Sequence, residues 1–381
     1  MKQFYLPTKI ITGLGCLSQL PSLIRALGQR ALLVSGRSAL HRSGLLQRTL
    51  DQLQAAGVQT VLYDAVPQEP TLDVVQSALD TAREEQADVI IGMGGGSAID
   101  VGKAAAALCN KALPIIEYHR GRPVTEPGLP FVSVPTTAGT GSEVTNNAVL
   151  TDTEHAVKQS IRGPYLFAVA AVVDPESTIS LPLEITASSG ADALCQAIES
   201  FAAVDAQPAT DALAGQAIQR IGRSLVRAYE QGSDISARAD MLYGSLMAGM
   251  AMTNTRLGGA HALAHPLGSR YHIAHGVICG LLLPYVMDYS LEYAPQKYAV
   301  VAELLGADTQ GLSPDRAARE AVIAVRKMLE RIGIPDRLRL FGVGEEDLTA
   351  IAAESAESAN AKNNSRPLQA PDLEAILRQA L

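Results

Sequence analysis

Short apolar runs alternate with amphipathic stretches through the first half of the chain: ALLVSG (31–36), a helical pattern through LLQRTLDQLQAAG, TVLYD (60–64), a second helical pattern through VVQSALDTAREEQ, and DVIIGMGGG (88–96). This is the cadence of repeating βαβ units. ALLV and DVII are apolar at consecutive positions, as expected of parallel strands covered on both faces, so a doubly wound sheet is predicted. PFVSVP (130–135) and AVAAVVDP (168–175) extend it. FYLPTKIITG (4–13) predicts a first strand, one able to pair across a subunit edge. Beyond Leu181 and Pro182 the alternation stops. From Leu183 onward the segments are long, Ala- and Leu-rich and periodic at helical spacing, with Gly or Pro between them. The expected architecture is an α/β Rossmann-like domain over residues 1–180 and an all-helical domain over 181–381, with the active site in the cleft between them.

Composition narrows the function classes. At 381 residues, with 47% hydrophobic and 18% charged residues, the chain has ample material for two filled cores, which excludes disorder. A net charge of −8 offers no footprint for nucleic acid or an anionic membrane, so small molecules are the expected partners. No apolar run is long enough to span a bilayer, and MKQFYLPTKIITGLG lacks the apolar core of a signal peptide. A cytoplasmic location is expected. Cys16, Cys109, Cys195 and Cys279 are widely spaced without a C-x-x-C pair and predict reduced, mostly buried thiols. Cys195 is assigned a packing role because adjacent helix positions, here Cys195 and Gln196, face different ways. The absence of Trp and 4% aromatic content leave no obvious stacking platform for a substrate.

Chemistry concentrates in HALAHPLGSRYHIAHG, which holds His261, His265, His272 and His275. His261 and His265 are one helical turn apart, and Pro266 and Gly268 are expected to break the helix so that the chain turns and returns His275 beside His261. Converging neutral imidazoles are ligands for a divalent transition metal, and a carboxylate should complete the shell. Upstream, SSGADALCQAIES is expected to open an amphipathic helix, with Asp192 and Gln196 on one face. A second cluster, DVIIGMGGGSAIDVGKAAAAL, runs from a strand through three glycines into a helix beginning around Ser97. Free N–H groups at that helix start, approached without Cβ clashes, suit a pyrophosphate. A third, PTTAGTGSEVT (135–145), collects hydroxyls and glycines after a strand.

Together these motifs resemble the iron-containing (group III) alcohol dehydrogenase family, whose members carry G-x-D-A-L-x-H-A-I-E, H-x-x-x-H-P-L-G…H-G, G-G-G-S-x-x-D-x-x-K and P-T-T-x-G-T-G-S-E. NNSRPLQAPDLEAIL near the C-terminus matches a similar turn before the final helix. The resemblance implies a dehydroquinate synthase-like fold: an α/β N-terminal Rossmann-like dinucleotide-binding domain plus an all-α C-terminal metal-binding domain. It implies Asp192, His261 and His275 as metal ligands, with Gln196 at the position of the usual second histidine, and His265 as the catalytic histidine of the cleft. An amide oxygen is a weaker donor than imidazole, so metal affinity is expected to fall; Fe2+ and Zn2+ both suit the set. Gly94, Gly95, Gly96, Ser97 and Asp100 take the dinucleotide role, with Lys103 at a matching position. Thr136, Thr137, Thr140 and Ser142 are expected near ribose and phosphates, and Lys158 near the nicotinamide-side ribose.

Each residue also has a plainer explanation. Asp192 suits a helix N-cap, His261 a core histidine, and His275 a turn residue beside Gly276. Asp100 suits a helix first turn, and Lys103 and Lys158 solvated faces. The exposed end of the first strand of the repeat, VSGRSAL, has Gly36 where NAD-dependent relatives often place an aspartate, with Arg37 and Ser38 able to receive a 2′-phosphate. NADP(H) is therefore favoured over NAD(H). The expected reaction is hydride transfer between nicotinamide and a small or medium-chain aldehyde or alcohol, by a homodimer or larger homo-oligomer. The alternatives are a metal-independent oxo-acid reductase of the same fold and a non-catalytic nucleotide-binding protein.

Overall fold

The computed structural model describes residues 2–155 and 157–381, in two compact units. The first comprises Leu6–Thr137 and Gly141–Leu181; the second comprises Pro182–Leu381, joined by the N-terminal residues through Tyr5 and by Ala138–Thr140.

The first unit is built on a parallel sheet of β1 (Lys9–Thr12), β2 (Arg30–Gly36), β3 (Gln59–Val66), β4 (Val89–Gly94), β5 (Phe131–Pro135) and β8 (Ala170–Val173). Its order is β1-β8-β5-β4-β2-β3. Helices α1 (Leu20–Leu27), α2 (Ala39–Arg42), α3 (Leu45–Ala55), α4 (Leu72–Glu84), α5 (Gly96–Leu108) and α6 (Ile115–His119) connect the strands. Two apolar cores result. One holds Leu32, Val34, Val75, Ile90 and Phe131, the other Ile24, Leu33, Leu53, Ile91 and Val132. Neighbouring residues of one strand enter opposite cores, which is why ALLV and DVII are apolar throughout. Phe131 sits where α5 crosses β4: a Cβ on Gly92 or Gly102 would meet its ring at 2.8 or 2.9 Å, so both glycines serve close helix–strand approach. Along the order, the chain leaves β2 for β3 on one side and reaches β4 on the other. The C-terminal ends of β2 and β4 therefore flank a topological switch point, the crevice where such sheets take ligands.

The alternating run NAVLTD forms β6 (Asn147–Asp152), which pairs antiparallel with β7 (Val157–Arg162) in a separate hairpin that the strand pattern did not announce. The first strand is shorter than FYLPTKIITG suggested. Only Lys9–Thr12 pairs with β8, at the sheet edge, while the Tyr5 N–H donates to Asn254 Oδ1 (2.7 Å) within the helical unit.

The second unit is helical throughout: α7 (Leu183–Ala202), α8 (Pro208–Glu230), α9 (Ile235–Thr255), α10 (Gly259–Tyr271), α11 (His275–Ser290), α12 (Pro295–Leu304), α13 (Pro314–Arg331), α14 (Glu345–Ala356), α15 (Ala359–Asn363) and α16 (Ala370–Ala380). Two expectations are corrected here. Asp192 does not open a helix; α7 begins at Leu183, so Asp192 is interior and cannot be an N-cap. Pro266 and Gly268 do not end α10, which runs through both to Tyr271. A proline removes one intrahelical donor, and burial of Ala262, Leu263 and Leu267 holds the turn across it. The chain reverses instead at His272, whose left-handed φ of 54° closes the helix and whose ring is exposed. Among the described residues no helix is long and apolar enough to cross a membrane.

Candidate metal centre and nucleotide loops

Three helices of the second unit converge on one cluster. α7 presents Asp192, Cys195, Gln196 and Glu199, spaced three, four and seven residues from Asp192 and so sharing one stripe. α10 brings His261 in its first turn, and α11 begins with His275 and carries Cys279 one turn later. Asp192 Oδ1 lies 3.3 Å from His261 Nε2 and 3.9 Å from His275 Nε2. One ligand atom from each of Asp192, His261, His275 and Cys279 falls within 4.8 Å of all the others. Asp192 Oδ1, His261 Nε2 and Gln196 Oε1 are buried with no hydrogen-bond partner. Buried polar atoms left unpaired are costly, and a divalent cation held among the Asp192 and His261 atoms would relieve that cost.

Glu199 explains the orientation of His261. Its carboxylate accepts from the Gly258 N–H (2.8 Å) and the Ala260 N–H (2.7 Å), tying down the start of α10, and lies 2.7 Å from His261 Nδ1. That contact puts the ring proton on Nδ1 and leaves the Nε2 lone pair for a metal, the usual carboxylate–histidine–metal relay. Asn364 supports the same turn, accepting from the Gly259 N–H (3.2 Å) and donating to Ser290 Oγ (3.0 Å).

Glycines let α11 reach α7. A Cβ on Gly276 would stand 2.1 Å from the Ser188 carbonyl oxygen, and one on Gly280 would stand 2.9 Å from Ala191 Cβ. The backbones abut there, carrying the His275 and Cys279 face to Asp192. His275 keeps 35% of its side-chain surface accessible, which leaves the cluster open on that side. The His265 ring, partly buried, lies 5.7 Å from that of His275, tilted 42° to it.

Burial pushes the Asp192 carboxyl up. It also opposes charge on the two imidazoles, but the anionic neighbours, Cys279 foremost, outweigh it and hold both above the ordinary histidine range. The cluster thus attracts positive charge, as a cation site should. Cys195, expected to be a buried packing residue, is fully buried and stands 3.7 Å from His261 Nδ1. It lies three residues from Asp192 and so shares its face of α7.

In the first unit, Gly94–Ser97 leave the end of β4 at the switch point. Gly94 has φ 152°, and a Cβ there would meet Ala98 at 2.8 Å, so the turn into α5 requires glycine. Thr136 donates its N–H to the Gly94 carbonyl (2.9 Å), and Thr137 packs on Gly95, where a Cβ would meet it at 3.3 Å. Gly36 ends the neighbouring strand β2, and Arg37 and Ser38 link it to α2; Arg37 Nε donates to Ala65 O (3.2 Å). Ser97 Oγ donates to Gln68 O (2.5 Å). Thr140 groups with the helical unit.

Asp100 and Lys103 point inward. Asp100 accepts from the Val149 N–H (2.9 Å), and Lys103 Nζ donates to the carbonyls of Ser142 (2.8 Å) and Asn147 (2.7 Å) and to Thr145 Oγ1 (3.1 Å). Burial pushes the Asp100 carboxyl up and the Lys103 ammonium down, each opposed by the other's charge at 3.6 Å. The solvated alternative for Lys103 is overturned, and the dinucleotide role expected of Asp100 gives way to a structural one: the pair staples the hydroxyl-rich loop and the β6–β7 hairpin to α5. Lys158 is likewise tied, donating to Glu69 Oε1 (2.8 Å).

The profile described as iron-containing alcohol dehydrogenase matches residues 7–175, and that of the Fe-containing alcohol dehydrogenase family, C-terminal, matches residues 186–381. The 1,3-propanediol dehydrogenase of Klebsiella pneumoniae is 39% identical, covering 94% of this chain and 95% of that protein. The chain belongs to the iron-containing alcohol dehydrogenase family. The NAD-dependent methanol dehydrogenase of Bacillus methanolicus is 32% identical over the whole of both chains. A crystal structure of 1,3-propanediol oxidoreductase superposes with TM-score 0.96 at 39% identity, covering all of both chains. Two further residues of the cluster carry no role in the sequence reading: Glu199, the last residue of the G-x-D-A-L-x-H-A-I-E element, and Cys279, outside the motifs. Glu199 lies seven residues after Asp192, and Cys279 four after His275; helical spacing from these two candidate ligands was the signal for both.

Proposed function

We propose that the protein is a metal-dependent, NAD(P)-linked alcohol dehydrogenase and aldehyde reductase acting on a small or medium-chain substrate. The observation that carries this reading is the convergence of Asp192, His261 and His275, with unpaired Asp192 Oδ1 and His261 Nε2, at a partly open cluster. Iron(II) is the metal we favour, held by these three residues with Gln196 beside them. When bound, a divalent ion supplies a Lewis acid for the carbonyl or alkoxide oxygen, and nicotinamide supplies or accepts the hydride.

The chain's own residues do the rest. Asp192, His261 and His275 fix the geometry at which oxygen charge is met. Glu199 holds the His261 tautomer. His265, one turn along α10 with its ring 5.7 Å from that of His275, is the group proposed to pass the alcohol proton toward solvent. Gly94–Ser97, Thr136, Thr137, Thr140, Ser142 and Lys158 are assigned to the dinucleotide. Gly36, Arg37 and Ser38 favour NADP(H), since no carboxylate there repels a 2′-phosphate. The small alcohols in the relatives' names support a short hydroxylated or aldehydic substrate. We further propose a cytoplasmic homo-oligomer, for which the edge strand β1 offers a pairing surface.

The test is oxidation of NADPH and of NADH with a panel of aldehydes, before and after chelation. Turnover that chelator removes and iron(II) restores supports the proposal. Equal turnover in chelator would favour metal-independent reduction, the reading that the Gln196 replacement itself suggests. Nucleotide binding without turnover of any aldehyde would favour a non-catalytic protein.

A further inference from the structure

We propose that Cys279 is a metal ligand in this protein, completing an Asp192, His261, His275 and Cys279 shell in place of Gln196. The proposal rests on the metal-dependent reading above. Its first support is distance. Four donors bound to one ion at about 2.0–2.3 Å stand roughly 3.3–3.8 Å from one another. Asp192 Oδ1 is 3.3 Å from His261 Nε2 and 3.9 Å from His275 Nε2, and Cys279 Sγ is 3.5 Å from His275 Nε2. Three of the six edges of a coordination tetrahedron are thus close to their final length, and all four residues have ligand atoms within 4.8 Å of one another.

The second support is what Gln196 does. Its Nε2 donates to Asp192 Oδ2 (3.1 Å), so its amide steadies the carboxylate's other oxygen. That bond is of the kind a residue behind the ligands makes, and it leaves only the neutral amide oxygen to face an ion. A neutral amide oxygen is also a weaker donor to a borderline cation than a thiolate, which adds charge and softness together. Gln196 thus offers at most its unpaired Oε1, a weaker donor than the imidazole it replaces, and Cys279 is placed to supply the stronger one.

The third support is the backbone. Cys279 is fully buried one turn beyond His275, and the flanking Gly276 and Gly280 let that face of α11 lie against α7. Cys195, the other thiol of the cluster, stands on the Nδ1 side of His261, away from the Nε2 that faces Asp192. Only Cys279 joins the four-residue group.

The experiment loads the metal-stripped full chain with one equivalent of cobalt(II) and records its absorption after desalting. A thiolate-to-cobalt charge-transfer band in the near ultraviolet is expected, retained in Cys195→Ser and lost in Cys279→Ser, with cobalt affinity of the latter lowered at least about tenfold. X-ray absorption of the zinc-loaded wild type is expected to show one sulfur at about 2.3 Å, without relying on any variant's folding. Cobalt retained with weak visible bands but no charge-transfer band overturns the proposal and leaves the metal-dependent reading standing. A band lost in Cys195→Ser but not in Cys279→Ser overturns it equally. Failure of the wild type to retain cobalt or zinc at all overturns both.

Discussion

Replacing Gly276 by Ala sets helix propensity against close packing, with opposite signs. Propensity alone predicts a gain of up to about 1 kcal/mol, because alanine is the better helix former. The structure predicts a loss. The new Cβ would stand 2.1 Å from the Ser188 carbonyl oxygen and 2.8 Å from its carbon, both backbone atoms of α7 that no rotamer change can move. Restoring even a tight 3.4 Å contact requires a retreat of about 1.3 Å at the first turn of α11. Overpacking of this kind costs about 1–3 kcal/mol. The same retreat carries His275 Nε2 from its present 3.9 Å separation from Asp192 Oδ1 out of range of a shared ion. Metal affinity should therefore fall by about ten- to a hundredfold, the range seen when ligand support is lost. The assay pairs thermal unfolding of the metal-free proteins with competition against a chromophoric chelator. Unchanged affinity with raised stability would refute the packing argument.

Lys103→Met removes the donor shared by Ser142, Asn147 and Thr145 and strands Asp100, so a loss of about 3–5 kcal/mol is expected in urea denaturation; an unchanged midpoint would show that the staple is dispensable. Burial pushes the Glu143 carboxyl up from 4.5 to about 7, so the folded chain keeps a proton that the unfolded chain releases between those values. Wild-type stability should then fall as pH rises through this window, by about 3 kcal/mol, and stay flat above it. Glu143→Gln should lack that decline, and parallel pH profiles would contradict the assignment. Gly36→Asp has room, since a Cβ there meets only the Val66 carbonyl at 3.8 Å. Its carboxylate should move the NADPH-to-NADH ratio of kcat/KM toward NADH by at least about tenfold, or ~1.4 kcal/mol; an unmoved ratio would remove Gly36 from the specificity determinants.

The α/β half was legible because burial on both faces makes each parallel strand a continuous apolar run, and the helical half because its periodicity is unbroken. The β6–β7 hairpin was not, since one short alternating segment competes poorly with the surrounding loop signals. Pro266 misled because local propensity marks a break, whereas the packing of Ala262, Leu263 and Leu267 decides whether the helix continues. The metal cluster was legible as histidines and an aspartate. Glu199 and Cys279 emerged only with the facing of α7 and α11, because their contribution depends on which stripe of each helix is turned inward. Asp100 and Lys103 lie within a nucleotide motif, but their side chains turn the other way, into a buried pair that spacing alone cannot distinguish from a ligand contact.

The central claim is that turnover runs through a metal held by Asp192, His261 and His275. The most direct measurement is the rate of NADPH-linked aldehyde reduction against iron bound per chain, from stripped protein to full loading under anaerobic conditions. The account predicts a straight line from zero rate to a plateau at about one iron per chain, the single site this cluster provides, and no line at all for Asp192→Asn. A rate independent of bound iron would contradict it.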